Sequence, residues 1–295
     1  MRTAFLDHPR PVAFAHRGGA AHAPENSWRA FEHALGLGYW YLETDLQATA
    51  DGVLVAFHDR TLDRVTDRAG RIARLPYREV AKARIAGTEP IPRLDDLLAA
   101  WPDVRFNVDL KDGPVIGPLA GVLRRTASWD RVCVTSFSAS RLRAARRVLD
   151  RPVCMAASPF GISVVRFGGP RRPRDQRRPA QPPPISPSPL RRRGAQLMLA
   201  ERMARTGVRC AQVPATVATP AFVARAHALG LDVHAWTVNS PATMRRLLDT
   251  GVDGIMTDET VALRDVLISR GDWHPRVSQP GNQHRVGWNR AQRES

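Results

Sequence analysis

Side chains suited to acid–base and metal chemistry are concentrated between Ala15 and His58. His16 ends a first apolar run, and Glu43 and Asp45 lie one residue apart in a second. Alternate strand residues point to the same face, so these two carboxylates would lie side by side. Adjacent carboxylates repel unless a cation separates them, and hard divalent ions prefer oxygen ligands. The spacing therefore indicates a cation site near histidines, which titrate close to neutral pH.

Three predicted strands and one helix would position these groups. Residues 11–16, 39–46 and 53–58 are short apolar or aromatic runs, as expected of strands. Residues 26–37 carry apolar side chains at helical spacing, with Asn26 or Ser27 available as the N-cap. Each chemical group alone would more often mark a solvated strand face or a turn. Their shared position at strand ends favours a functional site, because α/β folds gather their chemistry there.

The alternating segment at 104–111 is a further predicted strand. Asn107, Asp109 and Lys111 share one face of it, and apolar residues occupy the other. A parallel strand buried on both faces has no solvent to accept such a polar stripe. The alternatives are an edge strand with a wet face and a strand whose polar stripe points into the mouth of a barrel.

Four motifs together resemble the signature of the glycerophosphodiester phosphodiesterases. They are His16-Arg17-Gly18, Pro24-Glu25-Asn26, Glu43-Thr44-Asp45, and His58-Asp59 followed by Thr61-Leu62-Asp63-Arg64 and Thr66. Their order and spacing match across the whole stretch, and the resemblance covers about residues 12–268 apart from one insert. The resemblance implies a closed barrel and the hydrolysis of phosphodiesters.

The resemblance also implies a role for each site residue. Glu43, Asp45 and Asp109 would hold a divalent cation, Mg²⁺ or Ca²⁺. His16 and His58 would be the acid–base pair. The family usually has Glu where this chain has Asp109, so a closer strand or a bridging water would have to compensate for the shorter side chain. Substrate and phosphate contacts would come from Arg17, Lys111, Glu25 and Trp236, of which Trp236 would line the glycerol pocket.

Several other polar and aromatic residues are weaker candidates. Ser136, Phe137 and Asp258 are predicted at the mouth of the fold, with packing or capping roles as the alternative. The remaining histidines, such as His22, His33, His227 and His234, are predicted to be surface or packing residues.

Strands alternate with helices along the chain, which predicts parallel βαβ units. Strands near residues 12, 40, 104, 131, 153, 209, 232 and 254 give the eight of a (β/α)8 TIM barrel, with 53–58 as an extension of the second unit. A doubly wound open sheet is the alternative. It is disfavoured because no Gly-x-Gly-x-x-Gly turn follows a strand.

The net charge of +16 is unevenly distributed, since residues 170–195 hold eight arginines against one aspartate. Residues 168–194 are rich in proline and arginine and poor in apolar residues, which predicts a disordered insert in the crossover from the fifth to the sixth strand. The alternative is a basic arm for anionic membranes or nucleic acid. Residues 271–295 are predicted to be a disordered tail, so residues 1–270 would form a single barrel domain. The remaining charge suits a phosphate-bearing substrate, and we expect no nucleic-acid partner.

Composition also bears on the compartment. The three cysteines, Cys133, Cys154 and Cys210, lie in separate predicted strands and are interpreted as buried thiols of a reducing compartment, not as a disulfide or metal set. The first ten residues carry charges and no apolar run of secretory length, and no apolar run is long enough to span a bilayer. We therefore predict a cytoplasmic protein without a transmembrane segment.

Together these features predict metal-dependent hydrolysis of a small glycerophosphodiester to glycerol 3-phosphate and an alcohol. One alternative is lysophospholipase-D-like cleavage at the same site. Another is a catalytically impaired barrel that only binds ligand or membrane. The sequence leaves open the head group, the oligomeric state, and the choice between direct water attack and a cyclic phosphate intermediate.

Overall fold

The structure, a computed structural model, describes residues 3–167, 198, 200, 201, 203 and 205–276. The insert predicted to be disordered at 168–194 lies outside these residues, as does the predicted tail beyond residue 276.

Eight parallel strands close into a barrel, which confirms the predicted (β/α)8 fold. The first strand pairs with both the second and the eighth, so the sheet closes on itself. The strands are β1 (Val12–Ala15), β2 (Tyr41–Ala48), β3 (Arg105–Leu110), β4 (Val132–Thr135), β5 (Cys154–Ala156), β6 (Val208–Pro214), β7 (Asp232–Trp236) and β8 (Gly254–Thr257). The predicted extension of the second unit is present as Leu54–Ala56, which pairs antiparallel with β2.

Helices surround the barrel on its outer face. They are α1 (Trp28–Gly36), α2 (Tyr77–Val80), α3 (Leu94–Ala100), α4 (Ile116–Arg125), α5 (Ala139–Val148), α6 (Pro159–Phe167), α7 (Pro220–Ala228), α8 (Pro241–Asp249) and α9 (Thr260–Arg270). Ser27 caps α1, because its Oγ accepts from the backbone N–H of Ala30 at 3.1 Å. Asn26 takes a left-handed backbone conformation at φ 55°, which leaves its side chain free to serve the site described below.

From the sequence we predict one short helix near residues 77–85, and this helix is shorter in the structure. It ends at Val80, and Arg84–Ile85 instead pairs antiparallel with Glu89–Pro90. Gly87 lies in the connecting turn at φ 76°, a backbone conformation that favours glycine. The turn chemistry therefore overrides the helical spacing of this segment.

Side chains of each barrel strand alternate between two environments. Leu42, Leu46, Phe106 and Val108 face outward and are buried under the helices. Tyr41, Glu43 and Asp45 of β2 face inward instead. The lowest inward layer is apolar, and Phe5 and Leu6 of the N-terminal segment pack against it. The uppermost inward layer carries the carboxylates. A barrel interior of this kind is a packed core, with the carboxylates of the predicted site at one end.

The packed chain extends past the predicted domain boundary at residue 270. Trp273 lies edge-on to Tyr39 with ring centroids 5.3 Å apart, and the Arg276 guanidinium pairs with Asp103 at 2.8 Å. The first six residues of the predicted tail are thus part of the folded unit. Within the described residues, no helix combines the length and apolar character that a membrane span requires.

Candidate active site

The predicted site residues lie at the C-terminal end of the barrel. Glu43 and Asp45 are in β2, Asp109 is in β3, and Lys111 follows β3 directly. The remaining site residues lie in loops or at strand ends on the same rim, namely His16, Arg17, Glu25, His58 and Trp236.

A glycine pair shapes the turn after β1. Gly18 and Gly19 have φ values of +84° and +94°, where side chains are disfavoured. A Cβ on Gly18 would lie 2.7 Å from the Ala30 Cβ, so the turn packs too closely on α1 for any other residue. This turn directs the backbone N–H of Arg17 to the Glu43 carboxylate, to which it donates at 2.9 Å.

The Pro-Glu-Asn motif fixes the second carboxylate. The Asn26 side chain is buried and donates to Asp45 Oδ2 at 3.0 Å. Its carbonyl accepts from the Thr44 hydroxyl at 2.7 Å, which sets the orientation of the amide. Asn26 therefore holds Asp45 in one position from a loop that precedes it by 19 residues.

The two neighbouring carboxylates have opposite electrostatic environments. Burial and the charge of Asp45 raise the pKa of Glu43 to about 7. Burial alone would also raise the pKa of Asp45, but Lys111 and Arg17 outweigh it and lower that pKa. The buried Glu43 thus lacks enough positive charge to stay ionised easily at neutral pH.

Lys111 bridges the carboxylates of two strands. Its Nζ lies 2.8 Å from Asp45 Oδ1 and 2.7 Å from Asp109 Oδ2. These two aspartates are register partners of β2 and β3, which explains how one ammonium reaches both. Burial raises the pKa of Asp109 against the opposing effect of Lys111. The other oxygen of Asp109 is buried, with no hydrogen-bond partner among the described residues.

His16 is held by an acid from the last strand–helix connection. Its Nδ1 lies 2.7 Å from Asp258 Oδ1, and Asn239 donates to the other Asp258 oxygen at 2.9 Å. The His16 Nε2 lies 3.9 Å from Glu43 Oε2. Burial alone would lower the pKa of His16, but Glu43 and Asp258 raise it. The ring is therefore oriented through Nδ1, and its Nε2 faces the carboxylates.

His58 has an equivalent arrangement on the other side of the site. Its Nδ1 lies 2.6 Å from Asp59 Oδ1, and Arg64 pairs with the second Asp59 oxygen. The His58 side chain is about one-third exposed, and its charge is close enough to help lower the pKa of Asp45. Each histidine thus has one ring nitrogen held by a carboxylate, as in sites where the second nitrogen carries out proton transfer.

Glu25 contacts two arginines. Arg17 Nη1 donates to it at 3.2 Å, and Arg64 donates at 2.6 and 3.1 Å. Arg17 also approaches Asp45 with its Nε, at 3.2 Å. In this structure Glu25 positions the guanidinium groups at the rim of the site.

Aromatic side chains line the opposite rim. Phe137, which follows β4, lies edge-on to Trp236 at the end of β7, with ring centroids 5.3 Å apart. The Lys111 ammonium lies 5.7 Å from the centroid of the Phe137 ring. Trp236 therefore joins the predicted site through Phe137, which is 62% exposed.

The ion-pair network carries a surplus of negative charge. Among the residues that the structure describes, it contains six carboxylates and three permanent cations. The carboxylates are Glu25, Glu43, Asp45, Asp59, Asp109 and Asp258, and the cations are Arg17, Arg64 and Lys111. An anionic ligand would be repelled from such a site unless further positive charge were supplied.

The donor set fits a hard divalent cation. Glu43, Asp45 and the unpartnered oxygen of Asp109 are the buried oxygen donors of the site. Within the described residues these three do not converge as a set with ligand atoms inside 4.8 Å of one another. The Lys111 ammonium lies between Asp45 and Asp109 instead.

Sequence reasoning missed the groups that orient the predicted residues. Asn239 is absent from the predicted set, and Asp258 is predicted only as a residue of the mouth. Their partner His16 lies 242 residues from Asp258, so no local pattern connects them. One feature of the sequence could have identified Asp258 as a site residue, because it directly follows the last strand, at the functional end of the barrel.

The chain matches a known sequence family. The profile of the Glycerophosphoryl diester phosphodiesterase family matches residues 16–158 and 185–262. The chain is 41% identical over 275 residues to a Mycobacterium tuberculosis protein named "Probable glycerophosphodiester phosphodiesterase 2", covering 91% of this chain and 95% of the relative. It is 26% identical over 277 residues to the glycerophosphodiester phosphodiesterase of Caldanaerobacter subterraneus, covering 89% and 100% of the two chains.

The fold also matches solved structures. A crystal structure from Silicibacter pomeroyi aligns with a TM-score of 0.71 at 26% identity, over 92% of this chain and 100% of that one. An Oleispira antarctica phosphodiesterase solved with sn-glycerol-3-phosphate aligns with a TM-score of 0.67 at 21% identity, over 88% of this chain and 97% of that one. At that identity the second likeness supports the barrel fold alone.

Proposed function

The chain belongs to the glycerophosphoryl diester phosphodiesterase family and is a phosphoric diester hydrolase, and on that basis we propose a specific reaction and mechanism. It hydrolyses a glycerophosphodiester to glycerol 3-phosphate and an alcohol. Its carboxylates would hold a divalent cation, Mg²⁺ or Ca²⁺, which would supply positive charge to the phosphate, and His16 and His58 exchange the protons.

The observation that carries this proposal is the position of two oriented histidines beside a carboxylate pair in which Glu43 has too little positive charge nearby to stay ionised easily. His16 acts electrostatically on Glu43, and His58 acts on Asp45. A phosphodiester anion needs charge neutralisation, a base for the attacking oxygen and an acid for the leaving alkoxide. The two histidines would supply the base and the acid, and a cation held by the carboxylates would supply the charge neutralisation.

Glu43, Asp45 and Asp109 are the proposed ligands of the cation. When bound, the ion would neutralise the surplus carboxylate charge and polarise a phosphate oxygen. Arg17 and Lys111 bind the remaining phosphate charge. Because Lys111 pairs with both aspartates in this structure, the proposal requires it to exchange at least one of those contacts for the phosphate.

The acid–base step is assigned to the two imidazoles. One accepts the proton of the attacking oxygen, and the other donates a proton to the departing alkoxide. Asp258 and Asp59 hold the Nδ1 atoms, so the Nε2 atoms are the proposed sites of proton exchange. Trp236 and Phe137 line the side of the site where the glycerol moiety would pack.

The test is the release of glycerol 3-phosphate from glycerophosphocholine by wild type, His16→Ala and Glu43→Gln. Loss of a general acid–base group lowers the rate by roughly 10²- to 10⁴-fold, and we expect both variants to fall in or below that range. His227→Ala and Glu201→Gln are matched controls, since both residues lie away from the predicted site and their side chains are 42% and 65% exposed. Variant rates equal to wild type would refute the site assignment.

A lysophospholipase-D-like activity is the second candidate, supported by apolar side chains at the mouth. Phe137 and Phe160 are 62% and 64% exposed, and both follow the C-terminal end of a barrel strand. An exposed apolar rim suits an acyl chain more than a small polar head group. Comparing lysophosphatidylcholine with glycerophosphocholine as substrates would separate the two activities.

A further inference from the structure

Three cysteines that are distant in sequence meet inside the barrel. Cys133, Cys154 and Cys210 come from β4, β5 and β6 and are all buried. Their sulfur atoms lie within 4.8 Å of one another, and those of Cys133 and Cys210 are 4.0 Å apart. The expected burial is confirmed, and the three thiols, which lie far apart along the chain, are neighbours inside the barrel. Inward-facing positions of adjacent strands converge on the barrel axis, which spacing along the chain does not reveal.

The cluster is separated from the proposed active site. Its members belong to the apolar floor of the barrel, with Phe5 and Leu6 of the N-terminal segment. Above it, Asn107 of β3 and Gln212 of β6 exchange side-chain hydrogen bonds at 2.7 and 3.3 Å. Glu43 is the register partner of Asn107, and Asp109 follows Asn107 two residues later on the same face of β3, so the carboxylates lie beside and beyond this amide pair. A ligand of the thiols would therefore not share donors with the catalytic cation.

The spacing of the sulfurs suits a metal ion. Two sulfurs 4.0 Å apart, each about 2.3 Å from a common centre, subtend an angle of about 120°. That angle is the trigonal value, and the third sulfur lies within 4.8 Å of both of the others. Thiolates select soft ions such as Cu⁺ and Zn²⁺ over the hard ions that carboxylates prefer. A disulfide needs sulfurs at about 2.05 Å, which is half the observed separation.

We propose that Cys133, Cys154 and Cys210 form a buried three-thiolate site for one soft cation of the Cu⁺ or Zn²⁺ type. Each thiol loses its proton to solvent as its sulfur binds the ion. The Arg209 guanidinium acts electrostatically on Cys154 and offsets part of the thiolate charge.

The site would have a structural consequence. β5 and β6 flank the long crossover between residues 156 and 208, and the ion would connect both strands to β4. A clip that closes a long loop stabilises the folded state, because the unfolded chain loses conformational entropy. Ion binding to the folded protein also raises its melting temperature by mass action.

The test is anaerobic titration of the reduced full-length protein with Cu⁺ or, separately, with Zn²⁺, in the presence of excess Mg²⁺ to occupy carboxylate sites. Native mass spectrometry and competition with a chromogenic chelator give stoichiometry and affinity. We expect one soft ion per chain in wild type and at least a 100-fold weaker affinity in Cys133→Ser and Cys210→Ser. Of the two titrations, the one that gives the higher affinity identifies the preferred ion.

Met155→Leu is the matched control, because this sulfur-containing neighbour of Cys154 belongs to the outer core. It should bind as wild type does. If the serine variants fail to fold, the melting temperature of the wild type tests the proposal instead. It should rise with added ion until one equivalent is present. Absence of binding, binding that the serine variants retain, or a melting temperature unchanged by the ion would each overturn the proposal and leave the thiols as packing groups only.

Discussion

At the scale of single residues, the site depends on side chains that orient others. Asp258 holds His16 at 2.7 Å, and Asp59 holds His58 at 2.6 Å. A histidine held through one nitrogen presents the other in a fixed direction and tautomer. Proton transfer therefore depends on residues that need not touch the substrate.

Replacing Asp258 by Asn should separate orientation from binding. The variant keeps the size of the side chain but loses the charge that holds the imidazole. We expect kcat to fall by about 10- to 100-fold with little change in KM, as is typical of partners that orient an active-site group. Steady-state kinetics would measure both constants. Asp265→Asn on the outer helix α9 is the control, and an equal loss in both variants would count against the role of Asp258.

His234 offers a stability prediction away from the catalytic site. It is fully buried, and neither ring nitrogen has a hydrogen-bond partner among the described residues. Burial lowers its pKa to about 4, against the effect of Asp253 and together with that of Arg10. The unfolded chain takes up the proton near pH 6.5, so this residue costs stability as the pH falls from about 6.5 to 4.

His234→Leu should remove that pH dependence. A pKa lowered to about 4 corresponds to roughly 3 kcal/mol of unfolding free energy lost between pH 7 and pH 4. Guanidinium unfolding of both proteins at the two pH values would measure the difference. We expect the free energy of the variant to decline less than that of wild type. Parallel declines would show that protonation of His234 does not contribute.

At the scale of elements, the turn after β1 depends on close packing against α1. Gly18→Ala would place a methyl group 2.7 Å from the Ala30 Cβ at a φ of +84°. Backbone strain costs about 1 kcal/mol, and forced overpacking adds about 1–3 kcal/mol. Chemical denaturation should therefore show a loss of about 2–4 kcal/mol.

Gly52→Ala separates the two causes. Gly52 has a similar φ of +81°, but no atom lies within 4 Å of the position that an added methyl group would occupy. The free energy of unfolding of Gly52→Ala should therefore fall only by the cost of the backbone strain. If Gly52→Ala were as destabilising as Gly18→Ala, then contact with α1 would not explain the need for glycine in the turn.

Sequence patterns predicted the elements better than their contacts. The eight strands and the polar face of β3 follow from alternation and from the family resemblance. The short hairpin at 84–90 was missed because its helical spacing concealed a turn at Gly87. Pairs such as His16 with Asp258 join opposite ends of the chain, and only the closed barrel brings them together.

At the scale of the whole molecule, the barrel separates three inner layers with different chemistry. Carboxylates and histidines occupy the mouth, the Asn107–Gln212 pair lies below them, and the cysteine cluster lies at the floor. The carboxylate oxygens, which are hard donors, are thereby separated from the cysteine sulfurs, which are soft donors, within the same barrel. The overall charge of +16 contrasts with the negative surplus at the mouth, so the long-range field and the local site would act differently on an anionic substrate.

The apolar mouth makes a prediction about substrate choice. Phe160→Ser should lower kcat/KM for lysophosphatidylcholine while leaving glycerophosphocholine hydrolysis unchanged, because only the first substrate carries an acyl chain. Val148→Ser is the control. Val148 is also exposed, but it lies at the C-terminal end of α5, whereas the barrel mouth is at the N-terminal ends of the helices. Equal effects of Phe160→Ser on both substrates would assign Phe160 no part in acyl recognition.

The most direct test of the account is the dependence of glycerol 3-phosphate release on added divalent cation after complete chelation. We expect negligible activity in the chelated wild type and full recovery with Mg²⁺ or Ca²⁺, and we expect Asp45→Asn to need a much higher ion concentration. Full activity of the chelated enzyme, or an unchanged ion requirement in Asp45→Asn, would contradict the claim that the buried carboxylates hold a catalytic cation.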